Sequence, residues 1–248
     1  MGIPVDLGKI CSEEGIELAP GQFSRRFHGR IEFLSSEGVF VIFHPTPNGV
    51  SEGRIRFTIG HELGHYFIEE HRDLIVAGKA HSSVESFAPV RTRIEREADW
   101  FASSLLMPEK KVREIWGSRG YLDAQGILRI AKTCQTTPRA SAFRYSEVCD
   151  EPCVIIFADS GAVQCSFHSG EAEVRGFGGL GINQIPSKSA ARECLLGEPW
   201  KAAGKQADST EWFSARRAYG KLWEDSVRLG AGSRTLTMLS WLDYKPER

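Results

Sequence analysis

The sequence predicts an α+β fold in three parts. A small β-sheet with packed helices occupies residues 1–115, a helical helix-turn-helix-like segment residues 116–150, and a β-rich α+β domain residues 151–248. Three observations lead there. Apolar residues recur at helical spacing between about residues 52 and 145, whereas short apolar runs broken by turn residues flank that region on both sides. The change of period falls at Val148-Cys149-Asp150-Glu151-Pro152, which reads as a boundary. A chain of 248 residues is long enough to give each part a real core.

Composition bounds the function. Hydrophobic residues make up 41% and charged residues 25%, and the formal net charge of −1 gives no support to a dominant nucleic-acid or membrane role. The six cysteines are scattered, and no apolar leader is read at the N-terminus, so a reducing, cytoplasmic setting is expected. Cys149 and Cys153 form the one close pair, but no second Cys or His pair follows at zinc-finger spacing. No apolar run is long enough to span a bilayer, and a soluble protein is expected.

Taken in order, residues 5–18 place Val5, Leu7, Ile10, Ile16 and Leu18 among charged positions and read as a short helix interrupted near Gly15. RIEFLSSEGVFVIF, residues 30–43, reads as a β-hairpin about Ser35-Ser36-Glu37-Gly38. A helix is predicted from Ser51 or Glu52 to about Glu70. Within it Gly60 and Gly64 cost about 1 kcal/mol each relative to alanine, which suggests close approach by another backbone, with the helix laid on the hairpin sheet. Residues 72–90 read as a polar loop. Ile94, Ala98, Phe101, Ala102 and Leu105 mark a buried helix that ends before Pro108, and a further helix runs to Ile115. Residues 124–133 and 138–145 follow as short helices. Beyond the boundary come two strands about Asp159-Ser160-Gly161, a glycine-rich loop at residues 176–183, a helix over 188–196, and strands at 222–229 and 235–242.

The chemistry concentrates in HELGH, where His61, Glu62 and His65 fall within one arc of a helix. Two neutral imidazoles four residues apart can bind one Zn²⁺ from that face, and the intervening Glu62 is placed to take a proton from water. A catalytic zinc usually takes a third protein ligand. His71 would complete a metzincin-like spacing. That pattern needs a helix break at the position held here by Ile68, a β-branched residue for which positive φ is disfavoured, so His71 reads as a surface residue near the helix end. The stronger candidate is Glu95 on IEREADWFASSLLMP, with Asp99 four residues on to accept the ring N–H of a ligand histidine. Glu97 is the rival ligand but lies about 200° around the helix from Glu95. The bland alternative is a solvated acidic edge paired with groups such as Arg91.

RFTIGHELGHYF followed by EREADWFASSLLMP resembles the ImmA/IrrE family of bacterial zinc metallopeptidases, whose signature joins an HELGH-type helix to an E-x-x-A-[ND]-x-F-A-x-x-LLMP helix. The likeness extends loosely over residues 1 to about 145. It implies a zincin-like metallopeptidase domain over residues 1–115 with His61, His65 and Glu95 as zinc ligands, Glu62 as general base and Asp99 behind the ligands. The implied cofactor is Zn²⁺, with Mn²⁺ as a substitute. The implied partner is a protein substrate, an XRE-type helix-turn-helix repressor encoded nearby, whose cleavage derepresses stress or mobile-element genes. The order of parts is similar to that of IrrE, in which the C-terminal region is sensor-like. No residue type identifies the oxyanion stabiliser; His81, Tyr66 and Tyr121 are the candidates.

A different class of function is also legible. Residues 127–145 have the length of a helix-turn-helix, and residues 109–147 carry eight Lys/Arg against four Asp/Glu. Gln135 stands where a glycine is common, and Ser141 where an apolar residue is expected, so DNA binding is not favoured. The alternative is therefore a DNA-binding or ligand-sensing regulator with a structural or vestigial metal site.

Overall fold

The computed structural model describes residues 2–21, 29–78, 92–116, 123–177, 179–198, 200–214 and 220–241. It is a mixed α+β chain that divides into two compact units: Met1–Glu109 with Ile130–Ala140, and Lys110–Arg129 with Ser141–Arg248.

The first unit opens with helix α1 (Leu7–Glu13), capped by the Asp6 carboxylate accepting from the Lys9 amide at 2.9 Å. Gly15 takes φ +67°, a left-handed conformation that ends the helix, and Ile16–Pro20 then forms strand β1. The expectation that Ile16 and Leu18 belong to the N-terminal helix is therefore corrected. Strands β2 (Arg30–Leu34) and β3 (Val39–His44) form the expected hairpin, with Leu34 opposite Val39 and Gly38 at φ +69° in the turn. β1 adds to β3 in parallel, giving the order β1-β3-β2 and leaving β2 at an edge.

Helix α2 (Glu52–Phe67) carries HELGH, and a second correction concerns its end. The sequence reading ran it to about Glu70, but the helix stops at Phe67. Ile68 is extended, at φ −81° and ψ 111°, and the chain restarts as α3 (Glu69–Val76), a helix where a polar loop was expected from residue 72. No positive φ is needed for this break, so a β-branched residue accommodates it. Helix α4 (Arg93–Leu106) begins at Thr92, whose hydroxyl accepts from the Glu95 amide at 3.3 Å. The two glycines of α2 meet α4. A Cβ on Gly64 would lie 3.1 Å from the Ala98 Cα, and one on Gly60 would lie 3.4 Å from the Ala102 Cβ. The close backbone approach is thus found, and the helix that makes it is α4. Ile31, Ile42, Leu63, Leu106 and Met107 are fully buried in this unit.

Three further helices follow: α5 (Glu109–Trp116), α6 (Ala124–Cys134) and α7 (Pro138–Val148). Gln135 adopts φ 52° in the α6–α7 turn, so a side-chain-bearing residue does there what a glycine usually does.

In the second unit, β4 (Cys153–Asp159) and β5 (Ala162–His168) form a hairpin with Ser160 and Gly161 both at positive φ, as a type I′ turn requires. Helices α8 (Gly170–Val174) and α9 (Ala190–Leu196) follow, then β6 (Ala202–Asp208), a 3₁₀ turn at Ser209–Glu211, β7 (Lys221–Arg228) and β8 (Arg234–Trp241). The sheet is antiparallel throughout, in the order β5-β4-β8-β7-β6. Its core gathers Val154, Ile156, Trp212, Phe213, Leu222 and Leu239. Glu224 is buried beside α9 and accepts from the Ala191 amide at 2.9 Å; burial pushes its carboxyl up. The Cys149 and Cys153 thiols lie 3.9 Å apart, both buried. Among the described residues no helix is long and apolar enough to cross a membrane.

Candidate metal centre

The centre is built on two helices. The helical repeat sets His61, Glu62 and His65 on the buried side of α2, and Glu95 and Asp99 on the side of α4 that faces it. The glycines at 60 and 64 permit the approach that brings the two faces together. His61 and His65 present their Nε2 atoms to each other at 3.0 Å. The Glu95 carboxylate lies 3.4 Å from His61 Nε2 through Oε2 and 3.6 Å from His65 Nε2 through Oε1. These three residues could hold a metal ion, with donor atoms all within 4.8 Å of one another, and they are the one such group among the described residues.

The donor set suits zinc in spacing and in kind. Bonds of about 2.0–2.2 Å at tetrahedral angles put ligand atoms roughly 3.3–3.6 Å apart. The observed separations of 3.4 and 3.6 Å fall in that range, and the 3.0 Å between the two imidazoles is slightly shorter. Two imidazoles and a carboxylate are also the donor types of a hydrolytic zinc site. His61 Nδ1 lies 2.9 Å from Asp99 Oδ1. An ionised carboxylate only accepts, so Nδ1 carries the proton and Nε2 keeps its lone pair turned toward the cluster.

Glu62 is completely buried. Its position is shaped by a residue that sequence reasoning missed. A Cβ on Gly29, just before β2, would overlap the Thr58 methyl group and lie 2.9 Å from Glu62 Oε1. Only long-range packing shows why that position is glycine; nothing in the local text signals it.

His71 and Glu97 are placed differently from the sequence reading. His71 is 2% exposed rather than on the surface. Its Nδ1 meets His65 Nδ1 at 3.2 Å and its Nε2 meets Glu97 Oε2 at 3.0 Å. Neither residue joins the donor group. Tyr66 donates its hydroxyl to Glu14 at 3.2 Å and packs edge-on against Phe40. His81, Tyr121 and Arg91 lie outside the described residues.

Residues 46–146 match the family model of the IrrE N-terminal-like domain, Peptidase_M78. That segment belongs to the ImmA/IrrE family. The IrrE-like match takes in α2 and α4, hence every member of the donor group, together with Glu62 and Asp99. It begins beyond β3 and ends within α7, so the C-terminal sheet lies outside it. Eleven chains of solved structures match the fold. One is a Mycobacterium tuberculosis transcriptional regulator, 12% identical, covering 94% of this chain and 68% of its own with a TM-score of 0.54. At that identity the likeness speaks for the fold alone. No curated protein matches the chain.

Proposed function

We propose that the protein is a zinc-dependent endopeptidase that cleaves a helix-turn-helix repressor of the XRE type, encoded nearby, and so derepresses stress or mobile-element genes. The observation that carries the reading is the buried Glu62 carboxylate on the same helix as two histidines whose Nε2 atoms converge with Glu95. The peptidase description of the matched domain supports it. The choice of repressor as substrate rests on the resemblance to the ImmA/IrrE family.

His61, His65 and Glu95 would hold the zinc, and Asp99 would orient His61. A zinc ion bound there acidifies water and polarises a carbonyl. Glu62 acts as the general base: its carboxylate takes the proton of the attacking water and returns it to the leaving amine nitrogen. The complete burial of Glu62 excludes competing water from that transfer. The substrate backbone has a place to bind. Among the described residues β2 is an edge strand, and Gly29, the residue before it, lies beside Glu62, so an extended peptide pairing with β2 would run past the base.

The test is incubation of the purified protein and Zn²⁺ with the small repressor encoded beside it. Wild type should give two fragments, and Glu62→Gln should give none while still binding zinc. Intact repressor with wild type would count against the proposed substrate. A second reading, a DNA-binding or ligand-sensing regulator with a structural metal site, draws on the left-handed Gln135 in the α6–α7 turn. Salt-dependent duplex binding, undiminished in Glu62→Gln and with no proteolysis, would favour it.

A further inference from the structure

We infer that His71 and Glu97 form a relay that fixes the ring of His65 for metal binding, as the counterpart of Asp99 behind His61; the inference rests on the metal-site reading above. The hydrogen bonds fix the protons in sequence. Glu97 Oε1 accepts from Arg93 Nε at 3.0 Å. Arg93 is itself tied to Glu70 on α3 at 2.7 Å. Glu97 Oε2 then accepts from His71 Nε2, 3.0 Å away. A neutral imidazole that donates through Nε2 can only accept through Nδ1. Its partner there, 3.2 Å away, is His65 Nδ1, which must therefore be the donor. That leaves the His65 lone pair on Nε2, the atom 3.0 Å from His61 Nε2 and 3.6 Å from Glu95 Oε1.

The relay depends on the break at Ile68. Had α2 continued, residue 71 would sit six positions and about 240° around the helix from His65, on another face. With Ile68 extended, α3 turns His71 back onto His65 and buries it. Glu97 lies on α4, two residues from Glu95, so a single helix supplies the carboxylate that joins the donor group and two that orient it from behind, Asp99 and Glu97. His71 and Glu97 are positioning residues that act through His65.

Nitrogen-15 NMR of histidine-labelled full-length protein without metal reads the tautomer directly, and zinc titration against a competing chelator reads the consequence. Wild type should show His65 protonated at Nδ1. Glu97→Gln, whose amide can donate or accept, should give a mixture of His65 tautomers and zinc affinity lower by about 10- to 100-fold, the usual cost of an outer-shell change. His71→Gln, which keeps an acceptor for His65, should bind zinc more tightly than His71→Leu. A wild-type His65 protonated at Nε2 would overturn the relay, as would unchanged tautomer and affinity in both Glu97→Gln and His71→Leu. Failure of the underlying site reading looks different: wild type would bind no zinc although the tautomers shifted as expected.

Discussion

Gly29 and Asp99 show how narrowly single residues constrain this centre. Adding a methyl group at Gly29 puts it 2.9 Å from Glu62 Oε1 and into Thr58, so Gly29→Ala must displace the base or the strand start. Peptide cleavage should fall by about 100-fold, the scale of a 1 Å misplacement of a reacting group, while zinc binding is kept. Steady-state cleavage beside a zinc titration checks this, and unchanged cleavage would separate Gly29 from the reaction. Asp99 accepts from His61 at 2.9 Å. Asp99→Asn keeps a carbonyl acceptor and should bind zinc better than Asp99→Leu, for which a loss of about 10- to 100-fold is expected. The convergence of His61, His65 and Glu95 was legible in the sequence because helical spacing fixes which side chains of one helix share a face and the family resemblance joins the two helices. Gly29 and the burial of His71 were not, because each depends on contacts between segments far apart in the chain.

Among the elements, the pairing of α2 with α4 carries the site. At Gly64 an added Cβ would meet α4 backbone atoms, the Ala98 Cα at 3.1 Å and its carbonyl oxygen at 3.2 Å, neither of which can move alone. Gly64→Ala should therefore cost about 1–3 kcal/mol in spite of alanine's better helix propensity. At Gly60 the nearest atom is the Ala102 Cβ at 3.4 Å, an ordinary contact, so Gly60→Ala should lie within about 1 kcal/mol of wild type. Urea unfolding distinguishes the two, and equal effects would contradict the packing described. The sequence announced both helices and the β2–β3 hairpin through their periods and turn residues. It misplaced the end of α2, because Ile68 was judged against a left-handed break and the chain uses an extended one. It misread Ile16–Pro20, where alternation over five residues fits a helix end as well as a strand.

For the molecule as a whole, the α+β class and the β-rich C-terminal part follow from where the hydrophobic period changes. β6 was missed because AAGKQAD contains no β-branched or aromatic residue; its pairing with β7 makes it a strand. Every residue of the candidate centre belongs to the first unit, whereas Trp212 is fully buried in the core of the second. Trp212→Ala should lower the stability of the second unit by about 3–5 kcal/mol. It should leave the zinc content per chain unchanged, as denaturant unfolding with metal analysis would show.

The assignment of Glu95 as third ligand separates this centre from a pair of histidines on an amphipathic helix, and zinc affinity of Glu95→Ala beside wild type tests it most directly. One zinc per wild-type chain is predicted, with affinity in Glu95→Ala weaker by more than about 100-fold, beyond the usual cost of losing an outer-shell partner. Wild-type affinity retained in Glu95→Ala would contradict the two-helix site.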